Sequence, residues 1–110
     1  MPTKNEREPF TRLNVQEAKE MLDSGAVVID VREPHEYTGG HVPNAALIPV
    51  NTVYARRAEL PTDKDVIFVC AVGQRSALAA EMAAAAGLTR IFNLDGGTEA
   101  WINAGEPVEK

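Results

Sequence analysis

The sequence predicts an α/β fold: one parallel β-sheet with helices on both faces. Two observations carry this. Segments of strand-forming and helix-forming character alternate four or five times along the 110 residues, the order of a sheet built from right-handed strand–helix–strand units. Two of the strand segments, Ala26-Val27-Val28-Ile29-Asp30-Val31 and Val66-Ile67-Phe68-Val69, run apolar without polar alternation, as in strands covered on both sides.

Residues 1–9 are polar, carry two prolines and read as a mobile tail. Phe10-Thr11-Arg12-Leu13 reads as a short first strand. Asn14 then stands as an N-cap with Glu17 in the capping-box position. Val15, Ala18, Met21 and Leu22 share one helical face, and Gly25 supplies the stop. After the apolar strand ending in Asp30-Val31, Pro34 fits the first turn of a short helix that Gly39-Gly40 closes. Ala45 to Val50 reads as a strand, and Asn51 as the cap of a helix through Leu60, ended by Pro61. The central strand Val66–Val69 leads to Cys70, a turn with Gly73, and an alanine-rich helix from Ala77 to Ala86. Thr89 to Leu94 is a last strand, and Asp95-Gly96-Gly97 turns it into a short helix with Trp101 and Ile102. The whole reads as one domain over 10–107, the length of an ordinary single core.

Cys70 is the only cysteine. It lies where a strand becomes a turn and a helix follows, at the carboxyl end of a parallel strand where ligands of α/β sheets gather. Loop N–H groups and the following helix N-terminus favour the thiolate there, and Arg75 adds a cation. By itself a lone cysteine is more often a small buried hydrophobe. Gly73, Arg75 and the helix opening after Ser76 favour the chemical reading. With one thiol, neither an internal disulfide nor a dithiol redox cycle is available, and a reducing cytoplasm is the default compartment.

The net charge of −5 and the low aromatic content of 5% argue against nucleic acid or an anionic membrane as partner. No stretch is long and apolar enough to span a bilayer, and the polar N-terminus does not look like a signal peptide. His35 and His41, without further thiols, do not make a metal site.

Three segments together resemble the rhodanese family in its single-domain form: Asp30-Val31-Arg32 with Glu36-Tyr37, Gly40-His41-Val42-Pro43, Ala45 and Ile48-Pro49; Cys70-x-x-Gly73-x-Arg75-Ser76; and Leu94-x-Gly96-Gly97 with Trp101. The resemblance implies a five-stranded parallel sheet and a sulfurtransferase. Cys70 would take a sulfane sulfur from a donor such as thiosulfate or a persulfide and carry it as a persulfide to cyanide or a thiol. Ala71, Val72, Gly73, Gln74 and Ser76 would form the binding loop, with Arg75 beside the cysteine as a catalytic cation and Asp30 and Arg32 in support. No metal or organic cofactor is implied. The six-residue loop from Cys70 to Arg75 is one residue shorter than in the related dual-specificity phosphatases and arsenate reductases, which favours sulfur over phosphate. Ala71 and Val72 stand where many active relatives carry a basic and a small polar residue, which admits a persulfide donor, including one on a protein. A partner-dedicated persulfide carrier is the rival reading.

Several residues keep two readings. Arg75 is either a substrate clamp or an ion-pair partner. Ser76 reads as an N-cap before a catalyst, though its hydroxyl also reaches a persulfide. Asp30 reads as structural from its strand-end position. Arg32 either pairs with Glu36 four residues on or lines the site mouth. His41 fixes a turn, Arg56 and Arg57 form a solvated face, and Phe92 and Trp101 belong to the core.

Overall fold

A computed structural model describes residues 2–110. The elements are β1 (Thr3–Lys4), β2 (Thr11–Leu13), α1 (Val15–Asp23), β3 (Val27–Asp30), α2 (Pro34–Thr38), β4 (Ala46–Leu47), β5 (Val66–Val69), α3 (Gln74–Ala85), β6 (Ile91–Leu94) and α4 (Gly97–Asn103). The sheet order is β1-β2-β6-β5-β3-β4. Five strands, β2 to β6, are mutually parallel, as the sequence predicts. A sixth lies outside that expectation: Thr3–Lys4, in the stretch read as a mobile tail, pairs antiparallel with β2.

Because side chains alternate across a strand, each central strand feeds two cores. Val28, Ile67, Val69 and Leu94 face one side and pack with Ala18, Val42 and Trp101. Ile29, Val66, Phe68 and Ile91 face the other and pack with Ala79, Ala80 and Ala83 of α3. All four residues of β5 are buried, as expected of a strand covered twice. On α3 the buried positions Ser76, Ala79, Ala80 and Ala83 form one helical stripe. Its small side chains bring the helix close against β5 and β6, while Leu78 stays half exposed.

Local signals set several boundaries. Asn14 and Glu17 form the reciprocal capping box of α1, and Pro34 opens α2. Three expectations are corrected. The helix expected from Asn51 to Leu60 is a pair of 3₁₀ turns, Val50–Thr52 and Arg57–Glu59. Val50, Val53 and Leu60 dock on the α3 side of the sheet, and that docking leaves no continuous helical ladder between Pro49 and Pro61. Ser76 is not an N-cap: α3 begins at Gln74, and Gly73 takes the cap position in left-handed backbone at φ +105°. The strand expected over 45–50 shrinks to Ala46–Leu47. Among the described residues no helix is long and apolar enough to cross a membrane.

Candidate active site

Cys70 follows β5 directly, and its backbone is fixed from the neighbouring strand's exit. The Thr98 N–H donates to the Cys70 carbonyl at 2.8 Å, the Thr98 hydroxyl donates to it at 3.1 Å, and the Glu99 N–H donates to the Ala71 carbonyl at 3.1 Å. Gly97 makes this approach possible. A Cβ there would lie against the Cys70 and Ala71 carbonyl oxygens and 2.6 Å from the Ala71 carbonyl carbon, at a φ of +60°. The Gly96-Gly97 pair after β6 is therefore the floor on which the Cys70 loop rests.

From that floor the loop curls back over the sulfur. The left-handed Gly73 turns its N–H to Cys70 Sγ at 3.1 Å, and Ser76 Oγ lies 3.4 Å from the same sulfur. Burial pushes the Cys70 thiol up, but hydrogen bonds from the Ser76 side chain and the amides of Ser76, Gly73 and Val72 outweigh it. The net direction is down from the ordinary thiol value. The dominant stabilisers are hydrogen bonds to the charged form rather than a neighbouring cation.

The sulfur has no exposed surface in this arrangement, while Val72 at the loop tip is 50% exposed. Two clefts lie away from the loop: one of about 250 Å³ lined by Lys19, Val42 and Trp101, and one of about 300 Å³ lined by Val27, Leu47 and Pro61.

Arg75, in the first turn of α3, reaches across to α2. Its Nη1 and Nη2 donate to Glu36 Oε1 and Oε2 at 2.7 and 2.9 Å, a bidentate pair of the strong kind. The Arg75 hydrogen bonds hold the Glu36 carboxyl down to about 2 against the opposing effect of burial. Arg32 does not pair with Glu36. It is bound to Asp30, with its backbone N–H and Nε on Oδ1 at 2.9 and 3.0 Å and its Nη2 on Oδ2 at 2.8 Å, and it also donates to the Gly40 carbonyl. Both side chains are buried. Asp30 pairs in register with Val69, so this ion pair sits beside the cysteine strand and ties the exit of β3 to the Gly40 turn.

His41 fixes that turn. Its Nδ1 lies 2.8 Å from the Tyr37 carbonyl, and its ring stacks on Tyr37 at 3.7 Å. Asn44 follows in left-handed backbone at φ +69°, a conformation that asparagine tolerates better than most residues. Arg56 pairs with Glu59 and Arg57 stacks on Tyr54, both on an exposed face. Trp101 is core, and its Nε1 donates to the Pro107 carbonyl.

Asn93 and Thr98 are site residues that the sequence reading does not single out; Asn93 reaches closest to the sulfur's partners. It is fully buried, accepts from Ser76 Oγ at 2.5 Å and donates through Nδ2 to the Gly73 carbonyl at 3.2 Å and to Asp95 Oδ1 at 3.3 Å. The available signal was its place as the one polar residue in the apolar run Ile91-Phe92-Asn93-Leu94. Buried polar groups need partners, and these partners are in the Cys70 loop.

The profile of the rhodanese-like domain family matches residues 14–104. The chain is 43% identical over 76 residues to uncharacterized protein YqhL of Bacillus subtilis, covering 69% of this chain and 60% of that protein. It is 32% identical over 92 residues to the thiosulfate sulfurtransferase GlpE of Ectopseudomonas mendocina, covering 84% of each. The crystal structure of a rhodanese-related protein from Thermoplasma volcanium superimposes with a TM-score of 0.83 at 35% identity, over 89% of this chain and 96% of that one.

Proposed function

The chain belongs to the rhodanese-like domain family, and from that premise we propose that it is a sulfurtransferase working through a persulfide on Cys70. The observation that carries this reading is the sulfur itself: a single cysteine whose ionised form is favoured by the Gly73 N–H, the Ser76 hydroxyl and the amides of Val72 and Ser76.

With thiosulfate as donor, the Cys70 thiolate attacks the outer sulfur. A new S–S bond forms, the old one breaks, and sulfite leaves with its electron pair. With a hydropersulfide, the same attack leaves Cys70 carrying –SH on sulfur and releases the donor thiolate. An acceptor thiolate or cyanide then attacks the outer sulfur and regenerates the Cys70 thiolate. No electron enters from outside, so no cofactor is required. Splitting the transfer at a good nucleophile replaces one difficult encounter by two easier ones.

The loop from Ala71 to Ser76, Gln74 included, surrounds the bound sulfur, and its amides hold the terminal charge. Arg75, held by Glu36, is the one cation of the loop segment. Asp30 and Arg32 support the loop from β3. A reducing compartment such as the cytoplasm suits a lone working thiol.

The partner-dedicated carrier is a second reading favoured by one observation. Arg75 is engaged by Glu36, and Ala71, Val72 and Gln74 add no further cation to the loop. A dianionic donor meets little uncompensated positive charge there. A small-donor enzyme turns over thiosulfate efficiently, whereas a dedicated carrier turns it over slowly and loads quickly from a protein persulfide. The reading common to both is tested by Cys70→Ser, which should abolish sulfur transfer from every donor; retention of full activity by that variant overturns it.

A further inference from the structure

The Ser76 hydroxyl has one proton and two candidate acceptors. Asn93 Oδ1 lies at 2.5 Å and Cys70 Sγ at 3.4 Å. The amide orientation of Asn93 is fixed independently, because its Nδ2 faces the Gly73 carbonyl and the Asp95 carboxylate, both acceptors only. Oδ1 must therefore face Ser76, and between two oxygens this close the proton comes from the hydroxyl. All three side chains are fully buried, so bulk water does not supply a substitute donor.

We propose that Asn93 is a positioning residue for Cys70, acting by competing for the single Ser76 proton. While Cys70 is a thiol, the hydroxyl donates to Asn93 and its lone pairs face the sulfur. When Cys70 ionises, the hydroxyl turns to the thiolate, since a hydrogen bond to a charged acceptor is the stronger, and Asn93 Oδ1 is left unpaired. Asn93 thus holds back the free thiolate.

The consequence for sulfur transfer rests on the persulfide reading. In the loaded state the negative charge lies on the outer sulfur, beyond Ser76, and the inner sulfur is neutral. The hydroxyl returns to Asn93, and the bond lost at ionisation is regained. Asn93 favours the loaded state over the free thiolate without touching the substrate.

Other charged groups around the sulfur stay in place through the test: Asp30 and Arg32 at the end of β3, Glu36 on α2 and Arg75 on α3. Asp95 after β6 loses Asn93 but keeps Arg12. Because Cys70 is the only cysteine, the ultraviolet absorbance of the thiolate titrates this one group with no need for reagent access or sulfur transfer. The result is therefore independent of whether the protein is a sulfurtransferase.

Asn93→Leu should lower the titration midpoint by about 0.7 of a pH unit, the size of one neutral hydrogen bond. The same substitution in a Ser76→Ala background should shift nothing. If Asn93→Leu does not fold, Asn93→Ala removes the same acceptor without added bulk. An unchanged midpoint, an upward shift, or an equal shift with and without Ser76 overturns the proposal. An upward shift would mark Asn93 as only a brace for the Gly73 carbonyl.

Discussion

Arg75 and Glu36, 39 residues apart in sequence, are joined by two parallel hydrogen bonds that clamp α3 to α2 beside the Cys70 loop. The pair does two things at once. It fixes the guanidinium's orientation, and it cancels most of its charge.

Glu36→Gln separates these effects. The Glu36 carboxyl is lowered from 4.5 to about 2 in the folded state. Its contribution to stability is therefore complete above the unfolded value near 4.5 and is lost as the pH falls from there towards 2. With the two side chains a quarter to a third exposed, solvent screening brings that contribution to about 1 kcal/mol. Urea unfolding should show the wild type more stable than Glu36→Gln by this amount at neutral pH and equal to it near pH 2. If charge cancellation limits use of an anionic donor, the variant also gains kcat/KM for thiosulfate. Equal stability at neutral pH contradicts the clamp.

The Asp30–Arg32 pair should respond more sharply, because both groups are buried. Asp30→Ala leaves a buried guanidinium without its partner, which costs about 3–5 kcal/mol. Chemical denaturation measures this directly, and a loss below about 1 kcal/mol contradicts the assigned burial.

Gly97→Ala tests the floor of the loop. The added methyl meets the Cys70 and Ala71 carbonyls, so the loop must move as well as the helix. A loss of about 2–3 kcal/mol is expected from the overlap and the left-handed backbone together. Gly87→Ala has the same kind of backbone strain, at φ +102°, with nothing within 4 Å, and should cost about 1 kcal/mol. Only Gly97→Ala should also raise the Cys70 titration midpoint. Equal thermal shifts for the two variants contradict the assigned contact.

What could be read from the sequence was local or periodic. The capping box at Asn14, Pro34 in the first turn of α2 and the apolar strands β3 and β5 are encoded within a few residues of themselves, and the parallel sheet follows from their order. The segment after Pro49 was misread because Asn51 and the spacing to Leu60 imitate a helix, whereas docking of Val50 and Val53 on the sheet decides its shape. Ser76 was misread for a related reason. A serine beside a helix start looks like a cap, but Gly73, free to adopt positive φ, takes that position and turns its N–H to the sulfur.

The Cys70 loop was legible because a strand, a glycine turn and a helix start lie in one stretch. Its supports were not. Glu36, Asn93 and Thr98 reach the loop from three other elements, and no local pattern links them to it. Asn93 left only the trace of a polar residue in an apolar strand.

The most direct measurement is the intact mass of wild-type protein and of Cys70→Ser after incubation with thiosulfate, a low-molecular-weight persulfide or a persulfide-carrying protein, then after addition of a thiol. The account predicts that the wild type alone gains one sulfur and that the thiol removes it. A gain of sulfur by Cys70→Ser, or no gain by the wild type from any donor, small or protein-bound, would contradict a persulfide on Cys70.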